Sequence, residues 1–518
     1  VSAHAFAHPF RVITGLGFIT SIGHDRASVL AHLRELRHGF ERVEFFDNPN
    51  LPVKVAGTIK GFSFPTPNWR DWRWPAQFTV DRELLRGLAP HGVYAVCAVQ
   101  QALAEAGLAP DELGDGTTGL FCASAGSPFM LGHFLEQLHA TRGERGNPMG
   151  IISSIAGTLN FNLAAHYNIS GAVCGFVSAC ASSSHALGYA MDEIRLGRQQ
   201  RMLVVGAEDL TAESIVSFSS LRALSNNPDP ATASRPFDRR RDGFVGTGGA
   251  VALIVEDAAL ARRRGARIQA ELIGWGQAGD GHSIAVSHPE GAGLREAMRR
   301  TLADARVNAS DIDYVNAHAT STPGGDRSEA LALHAVFTHH GAKPRVSSTK
   351  ALTGHGLSLA GAMEAAFCTL AIDEKFIPGA AHLAEPDDVC GEPETGVEHP
   401  DEAAKLGDGV GKQGPAINLV RRRPPLRGPV QDRPLAGQSA GISEVELGET
   451  DRLGDEPESC CFLQYLRRRA GLDAVRDDDS VEWIELAPER FDLAPIELDQ
   501  ECPIRSLLEA GCVERGIE

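Results

Sequence analysis

The sequence predicts an α/β fold with largely parallel strands, on three observations. Helical runs and short apolar strand-like runs alternate over most of residues 93–372. One stretch returns in altered form: ALAEAGLAPDEL at 102–113 is echoed by TLADARVNASDI at 301–312. Each copy is a helix end, a short acidic turn and the start of a strand. An offset of about 199 residues is far too long for a solenoid period and points to two similar halves. Third, residues with reactive side chains fall where strand-like runs end, which is where open α/β sheets carry their sites.

Taken in order, RVITGLGFITSIG (11–23) reads as a short β-run followed by a glycine-punctuated turn. Its GxG lacks the third glycine and the acidic residue of a dinucleotide loop, so that reading is set aside. Helices are expected at 93–107, 181–197, 292–305, 327–336 and 360–372, each with apolar residues at helical spacing. Strands are expected at 118–123, 173–177, 202–206, 249–255 and 313–316. WRDWRWP (69–75) reads as a packed surface loop, with a cap over a channel or dimer contact as the alternative.

The chain has 518 residues, 43% of them apolar, and no run near the roughly 20 apolar residues that span a bilayer. Its start lacks the basic and apolar regions of a secretory signal. Ten cysteines show neither a disulfide framework nor paired metal-ligand spacing, and Cys460 and Cys461 are adjacent. The expectation is a cytoplasmic protein with reduced thiols and no metal. A formal charge of −18 argues against nucleic-acid binding. About −13 of it falls on residues 391–518 and about −5 on residues 1–390.

Three motifs carry chemistry. In GAVCGFVSACASSSHALGYA (171–190), Cys180 stands between a strand-like and a helix-like run. There the helix dipole favours a thiolate, and the small neighbours Ser178, Ala179, Ala181 and Ser182 to Ser184 leave room for a substrate. In DYVNAHATSTPGGD (313–326), a short strand delivers His318 to a hydroxyl-rich loop with Thr320 and Thr322. In RVSSTKALTGHGLSLAGAMEAA (345–366), Lys350 and His355 lie on a glycine-containing turn, and Glu364 follows on a helix in reach of Lys350. Taken singly, an inert core cysteine, a turn histidine and a loop–helix packing motif are the plainer readings.

Together with ALSNNPDPATASRPFDRRRDGFVGTGGAVALIVED (223–257), these motifs resemble the β-ketoacyl-[acyl carrier protein] synthases of the thiolase superfamily, type I/II, over residues 11 to about 385. The resemblance implies a thiolase-like fold of two pseudo-symmetric βαβαβαββ halves forming a five-layered α-β-α-β-α core. The halves are placed at 11–265 and 266–425, the second degenerate after about 385, with an atypical acidic tail at 426–518. His355 favours the elongating Cys-His-His class, since related groups carry Asn or a second Cys at that place.

The implied reaction is a decarboxylative Claisen condensation of malonyl-acyl carrier protein with an acyl chain on Cys180, in fatty-acid or polyketide-type elongation. His318 and His355 would donate N–H to the thioester oxygen. Lys350 would order the site, anchored by Glu364, and Thr320 and Thr322 would hold the phosphopantetheine arm. The implied partners are acyl carrier protein and a second copy of the chain, or a related synthase in a heterodimer. No cofactor is implied beyond the phosphopantetheine that the carrier brings.

The end of the chain departs from the family. Where a Gly-Phe-Gly-Gly loop belongs stands GDGVGKQGPAINLV (407–420), with Val410 and Lys412 in place of both phenylalanines. Gly411 is the residual candidate, beside the Cys180 backbone, for an oxyanion donor, and Gly414 and the Leu419–Val420 strand end are candidate remnants of the loop and its strand. The text after about 385 reads as an out-of-frame end, which would remove two strands and bare a sheet edge. A non-catalytic partner subunit of the chain-length-factor kind, or an inactive product, are the alternatives to a working synthase.

Overall fold

The computed structural model describes residues 10–283, 286–390, 414–416 and 418–421. Val410, Gly411, Lys412 and the tail 426–518 lie outside the described residues, and so do the oxyanion role expected of Gly411 and the replacements expected at Val410 and Lys412. Ten strands form the frame. The first five are β1 (Arg11–Ile19), β2 (Thr118–Ala123), β3 (Val173–Phe176), β4 (Arg201–Glu208) and β5 (Gly249–Asp257). The second five are β6 (Ala270–Trp275), β7 (Tyr314–Asn316), β8 (Arg345–Ser347), β9 (Gly414–Ala416) and β10 (Asn418–Arg421).

The first half is ordered β3-β2-β4-β5-β1. In the second, β9, β10 and β6 are neighbours, β8 pairs with β7, and β7 lies beside β9. The two halves therefore share one order, third-second-fourth-fifth-first. The fifth strand runs antiparallel to both neighbours in each half, β5 against β4 and β1, and β10 against β9 and β6. Parallel pairing is confined to β2 with β3 and β4, and β7 with β8. The expectation of largely parallel strands is corrected accordingly, because each half closes on an antiparallel fifth strand.

Six helices matter to the site: α1 (Pro90–Ala106), α2 (Leu159–His166), α3 (Ser182–Arg195), α4 (Ala292–Ala305), α5 (Pro323–Val336) and α6 (Ala360–Glu374). α3 and α6 pack on each other and contact strands of both halves, so they form a central layer. α1 and α2 cover the outer face of the first sheet, and α4 covers that of the second, with α5 packed on α4. This is the five-layered thiolase-like core. α6 is buried without a break from Ala360 to Ala371, as a helix clasped on all sides must be. Its Ala, Gly and Met text lets it fit there.

The echo at 102–113 and 301–312 is the same piece of structure in each half. α1 ends on Gly107 and α4 on Arg306, both left-handed, with φ of 66° and 56°. Next, the Glu112 carboxylate accepts the Ala109 N–H at 2.7 Å and the Asp311 carboxylate accepts the Asn308 N–H at 2.9 Å. All three pairs are 199 residues apart in the chain.

The reading of 11–23 as a short run and a turn holds for the turn, where Thr20 and Gly23 exchange backbone hydrogen bonds, and is corrected for the length of the run. β1 is one strand of nine buried residues that passes through Gly15 and Gly17, with a bulge between Ile13 and Gly15. The glycines serve close approach rather than a turn. A Cβ at Gly17 would fall on the Ala98 carbonyl of α1, and one at Gly15 on the Ala102 carbonyl.

Downstream, β9 and β10 form a hairpin, and Asn418–Arg421 pair with Glu271–Trp275 of β6. The edge that an out-of-frame end would bare is thus covered among the described residues. The 69–75 loop packs on the outer layer. Trp72 is 2% exposed, its indole N–H donates to the Thr66 carbonyl at 2.7 Å, and it meets the Phe64 ring edge-on.

Gly17→Val is expected to lower stability by about 1–3 kcal/mol or more, as overpacking of a tight contact does. A shift in the urea midpoint at unchanged slope measures it, and a neutral result would contradict the β1–α1 contact.

Candidate active site

The strand-to-helix turn that carries Cys180 is tightly built. Ala179 takes φ of 46°, a left-handed conformation that is costly for a side chain with Cβ. Ser182 braces the turn: its hydroxyl accepts the Ser178 N–H at 2.7 Å and donates to the Ala179 carbonyl at 2.7 Å. The next two serines face α6. The Ser183 hydroxyl accepts the Ala362 N–H at 2.9 Å, and Ser184 lies against Gly361, where any Cβ would collide with it. The run of small residues therefore serves mainly helix contact. Only Ser178, Ala181 and Ser184 of it border open space beside Cys180.

The second half brings two imidazoles to the thiol. Cys180 Sγ and His355 Nε2 are 2.9 Å apart. The rings of His318 and His355 meet edge-to-face at 5.2 Å and 85°. One donor atom from each of Cys180, His318 and His355 lies within 4.8 Å of the others. His355 is 3% exposed and is held through its backbone, which donates N–H to Val245 and accepts from Thr247. Phe244 stands edge-on to its ring.

His318 is fixed by a residue that the motifs did not single out. The Glu329 carboxylate, on α5, accepts the backbone N–H of His318 at 2.8 Å and of Ala319 at 2.6 Å. No local pattern marks Glu329; only its return across 11 residues to the His318 loop reveals it. Asp326, one turn earlier and fully buried, accepts the Phe237 N–H at 2.9 Å and ties the middle segment to this helix. Glu208 at the end of β4 binds Ser358, just past His355, through both the hydroxyl and the N–H of that serine. Burial pushes Glu208 and Asp326 up to about 7.

Lys350 and Glu364 form a buried ion pair, with side chains 1% and 5% exposed. Burial raises Glu364 to about 7, against the pull of Lys350. Thr320 and Thr322 hydrogen-bond each other at 3.1 Å on the loop beyond His318. They do not border the cavity beside Cys180. That cavity, of about 320 Å³, is walled by α3, α4 and α6 and by Gln277 and Asp280, and it reaches Cys180, His318, Glu329 and Glu364.

The electrostatics correct the expectation of a thiolate stabilised by the helix. Burial pushes the Cys180 thiol up to about 11; Lys350 opposes this, while Glu364 and Glu208 add to it. Burial, reinforced by Lys350, pulls His318 down to about 3. Burial, then His318 and Lys350, hold His355 well below its ordinary value. At neutral pH the trio is a thiol and two uncharged imidazoles.

The reactive thiolate gains about tenfold per pH unit below the thiol pKa. Iodoacetamide labelling of the Cys180 peptide is therefore expected to climb from pH 7 to pH 10 without levelling. A plateau near pH 8, read by mass spectrometry, would contradict a buried neutral thiol.

Comparison with known proteins now places the chain. Residues 12–261 match the β-ketoacyl synthase N-terminal domain and residues 269–384 its C-terminal domain. The 3-oxoacyl-[acyl-carrier-protein] synthase 1 of Haemophilus influenzae is 37% identical over 387 residues, which are 73% of this chain and 89% of that protein. The synthase 1 of Escherichia coli K12 is 34% identical over 382 residues, with the same coverage. Among solved structures, a β-ketoacyl synthase from Burkholderia phymatum superposes with a TM-score of 0.67 at 31% identity, covering 74% of this chain and 91% of that one. The ishigamide ketosynthase/chain length factor gives 0.64 at 30%, with the same coverage. With two histidines from one half converging on a cysteine from the other, the chain belongs to the β-ketoacyl synthase family.

Proposed function

We propose that this chain is a 3-oxoacyl-[acyl carrier protein] synthase that extends an acyl chain held on Cys180 by condensation with malonyl-acyl carrier protein. The observation that carries the reading is the 2.9 Å approach of Cys180 Sγ to His355 Nε2 with His318 alongside. In the first step the Cys180 sulfur attacks the acyl thioester, and the thiol proton passes to the departing pantetheine sulfur, with His355 in place to relay it. In the second, malonyl thioester loses carbon dioxide and the resulting enolate attacks the acyl-Cys180 carbonyl. The product leaves on the carrier, and the Cys180 thiolate takes up a proton.

Uncharged imidazoles suit the second step. A protonated ring would bind the malonyl carboxylate and resist its loss, whereas a neutral ring offers N–H to the developing enolate oxygen. His355 Nδ1 is buried with no hydrogen-bond partner among the described residues, so its tautomer follows whatever Nε2 faces. The ring is an acceptor toward a thiol and a donor toward an oxyanion. The Cys180 backbone N–H is the candidate oxyanion donor for the acyl-cysteine step. Lys350, held by Glu364, orders the pair of rings. Thr320 and Thr322 take the arm of the carrier. Residues 11–265 and 266–425 serve as the two catalytic halves. The retained Cys180 favours this reading over a chain-length-factor subunit.

The natural setting is the cytoplasm, and the natural form is a dimer through the β3 edge. No helix among the described residues is long and apolar enough to cross a membrane. Among the described residues β3 has β2 on one side only. Val173, Val177 and Tyr189 beside it are 37%, 59% and 39% exposed, and Phe161 and Ile151 are 55% and 60% exposed. An open apolar edge of this kind pairs with another chain.

Incubation with acyl- and malonyl-acyl carrier protein is expected to give ketoacyl product and an acylated Cys180 peptide. Cys180→Ala should give neither, and His355→Ala should lose about 10²–10³ in rate, the usual cost of one oxyanion donor. An unmodified Cys180 peptide in the wild type would reject the assignment. Light scattering should report twice the chain mass, and Val177→Lys should shift it toward the monomer.

A further inference from the structure

We propose that Cys180, His318 and His355 form a binding site for a soft divalent cation, Zn²⁺ being the best match, which holds the protein in an inactive state. Three ligands of the kinds zinc prefers, one sulfur and two imidazole nitrogens, come from three separate segments and converge within 4.8 Å. A tetrahedral zinc with Zn–S of about 2.3 Å and Zn–N of about 2.0–2.1 Å needs S···N near 3.6 Å and N···N near 3.4 Å. The observed 2.9 Å between Sγ and Nε2 and the 4.8 Å limit bracket those spacings.

The donor set, not the charge around it, carries the site: Glu364 and Glu329 border the cavity, Glu364 pairs with Lys350, and that ammonium opposes positive charge at both imidazoles. A neutral His355 with its proton on Nδ1 presents the Nε2 lone pair to a metal. A cavity of about 320 Å³ borders Cys180 and His318 and has room for water as a fourth ligand. Three protein ligands and one open place is the pattern of reactive rather than structural zinc sites. Binding exchanges the thiol proton for the metal: Zn²⁺ and Cys–SH give a zinc thiolate and a proton released to solvent. The sulfur that would carry the acyl chain is then occupied. The inhibitory consequence rests on the condensing-enzyme reading; the binding itself does not.

Two readouts test binding without turnover, using metal-free full-length protein. With free Zn²⁺ at ten times its dissociation constant, iodoacetamide labelling of the Cys180 peptide should slow about tenfold and recover with chelator. Co²⁺ as the probe should give a thiolate-to-cobalt charge-transfer band with tetrahedral visible bands. The charge-transfer band should vanish in Cys180→Ala and both sets should weaken in His318→Ala and His355→Ala. Unchanged labelling of Cys180 under zinc, or a cobalt spectrum that survives Cys180→Ala, overturns the proposal. Condensation measured in chelator is the separate arm. Bands without any condensation would leave the metal site standing and remove the synthase reading, and condensation without bands would do the reverse.

Discussion

Gly361 of α6 rests on Ser184 of α3, and the site depends on that contact. Cys180 sits at the start of α3 in one half, and His318 and His355 lie on loops of the other. Nothing covalent holds them in register except a chain of 175 residues between Cys180 and His355. The missing Cβ at Gly361 lets α6 approach closely, and the Ser183 hydroxyl then reaches the Ala362 N–H. A larger residue at 361 would push the central helices apart, and a shift of about 1 Å is enough to lose much of an enzyme's rate.

The contact also explains the electrical character of the site. Two helices pressed together exclude water, and every ionisable group between them is shifted toward its neutral form. The thiol rises, both imidazoles fall, and the carboxylates rise. Glu364 rises with them although its ion pair with Lys350 opposes the shift. Such a pair contributes little net stability. Breaking it by removing one member leaves a charge stranded among neutral groups, which costs far more.

Much of this was legible in the text of the chain. The cysteine and histidine motifs stand at strand ends, and the spacing of Lys350 and Glu364 suggested their pairing. The echo at 102–113 and 301–312 disclosed the duplication, down to the capping acids Glu112 and Asp311. Other features were hidden for physical reasons. The full length of β1 was hidden, because glycines inside a strand are intelligible only once the helix lying on them is known. Glu329 acts on backbone N–H groups, which leave no trace in residue types. The thiolate expected from a helix N-terminus did not survive burial, and burial is a property of the packed whole. Of the two strands at 414–421 only the Leu419–Val420 end showed in the text, because runs of three and four residues are too short to display a period.

The strand order has a consequence for how the molecule is made. The first and fifth strands of each half are neighbours, so Arg11 pairs with Asp257. At roughly 5–20 residues per second, an emerging β1 waits on the order of 10–50 s for its partner. Throughout that interval nine consecutive residues that end fully buried are without their sheet. Translation speed and chaperone supply, more than the final stability, would then govern the yield of folded protein.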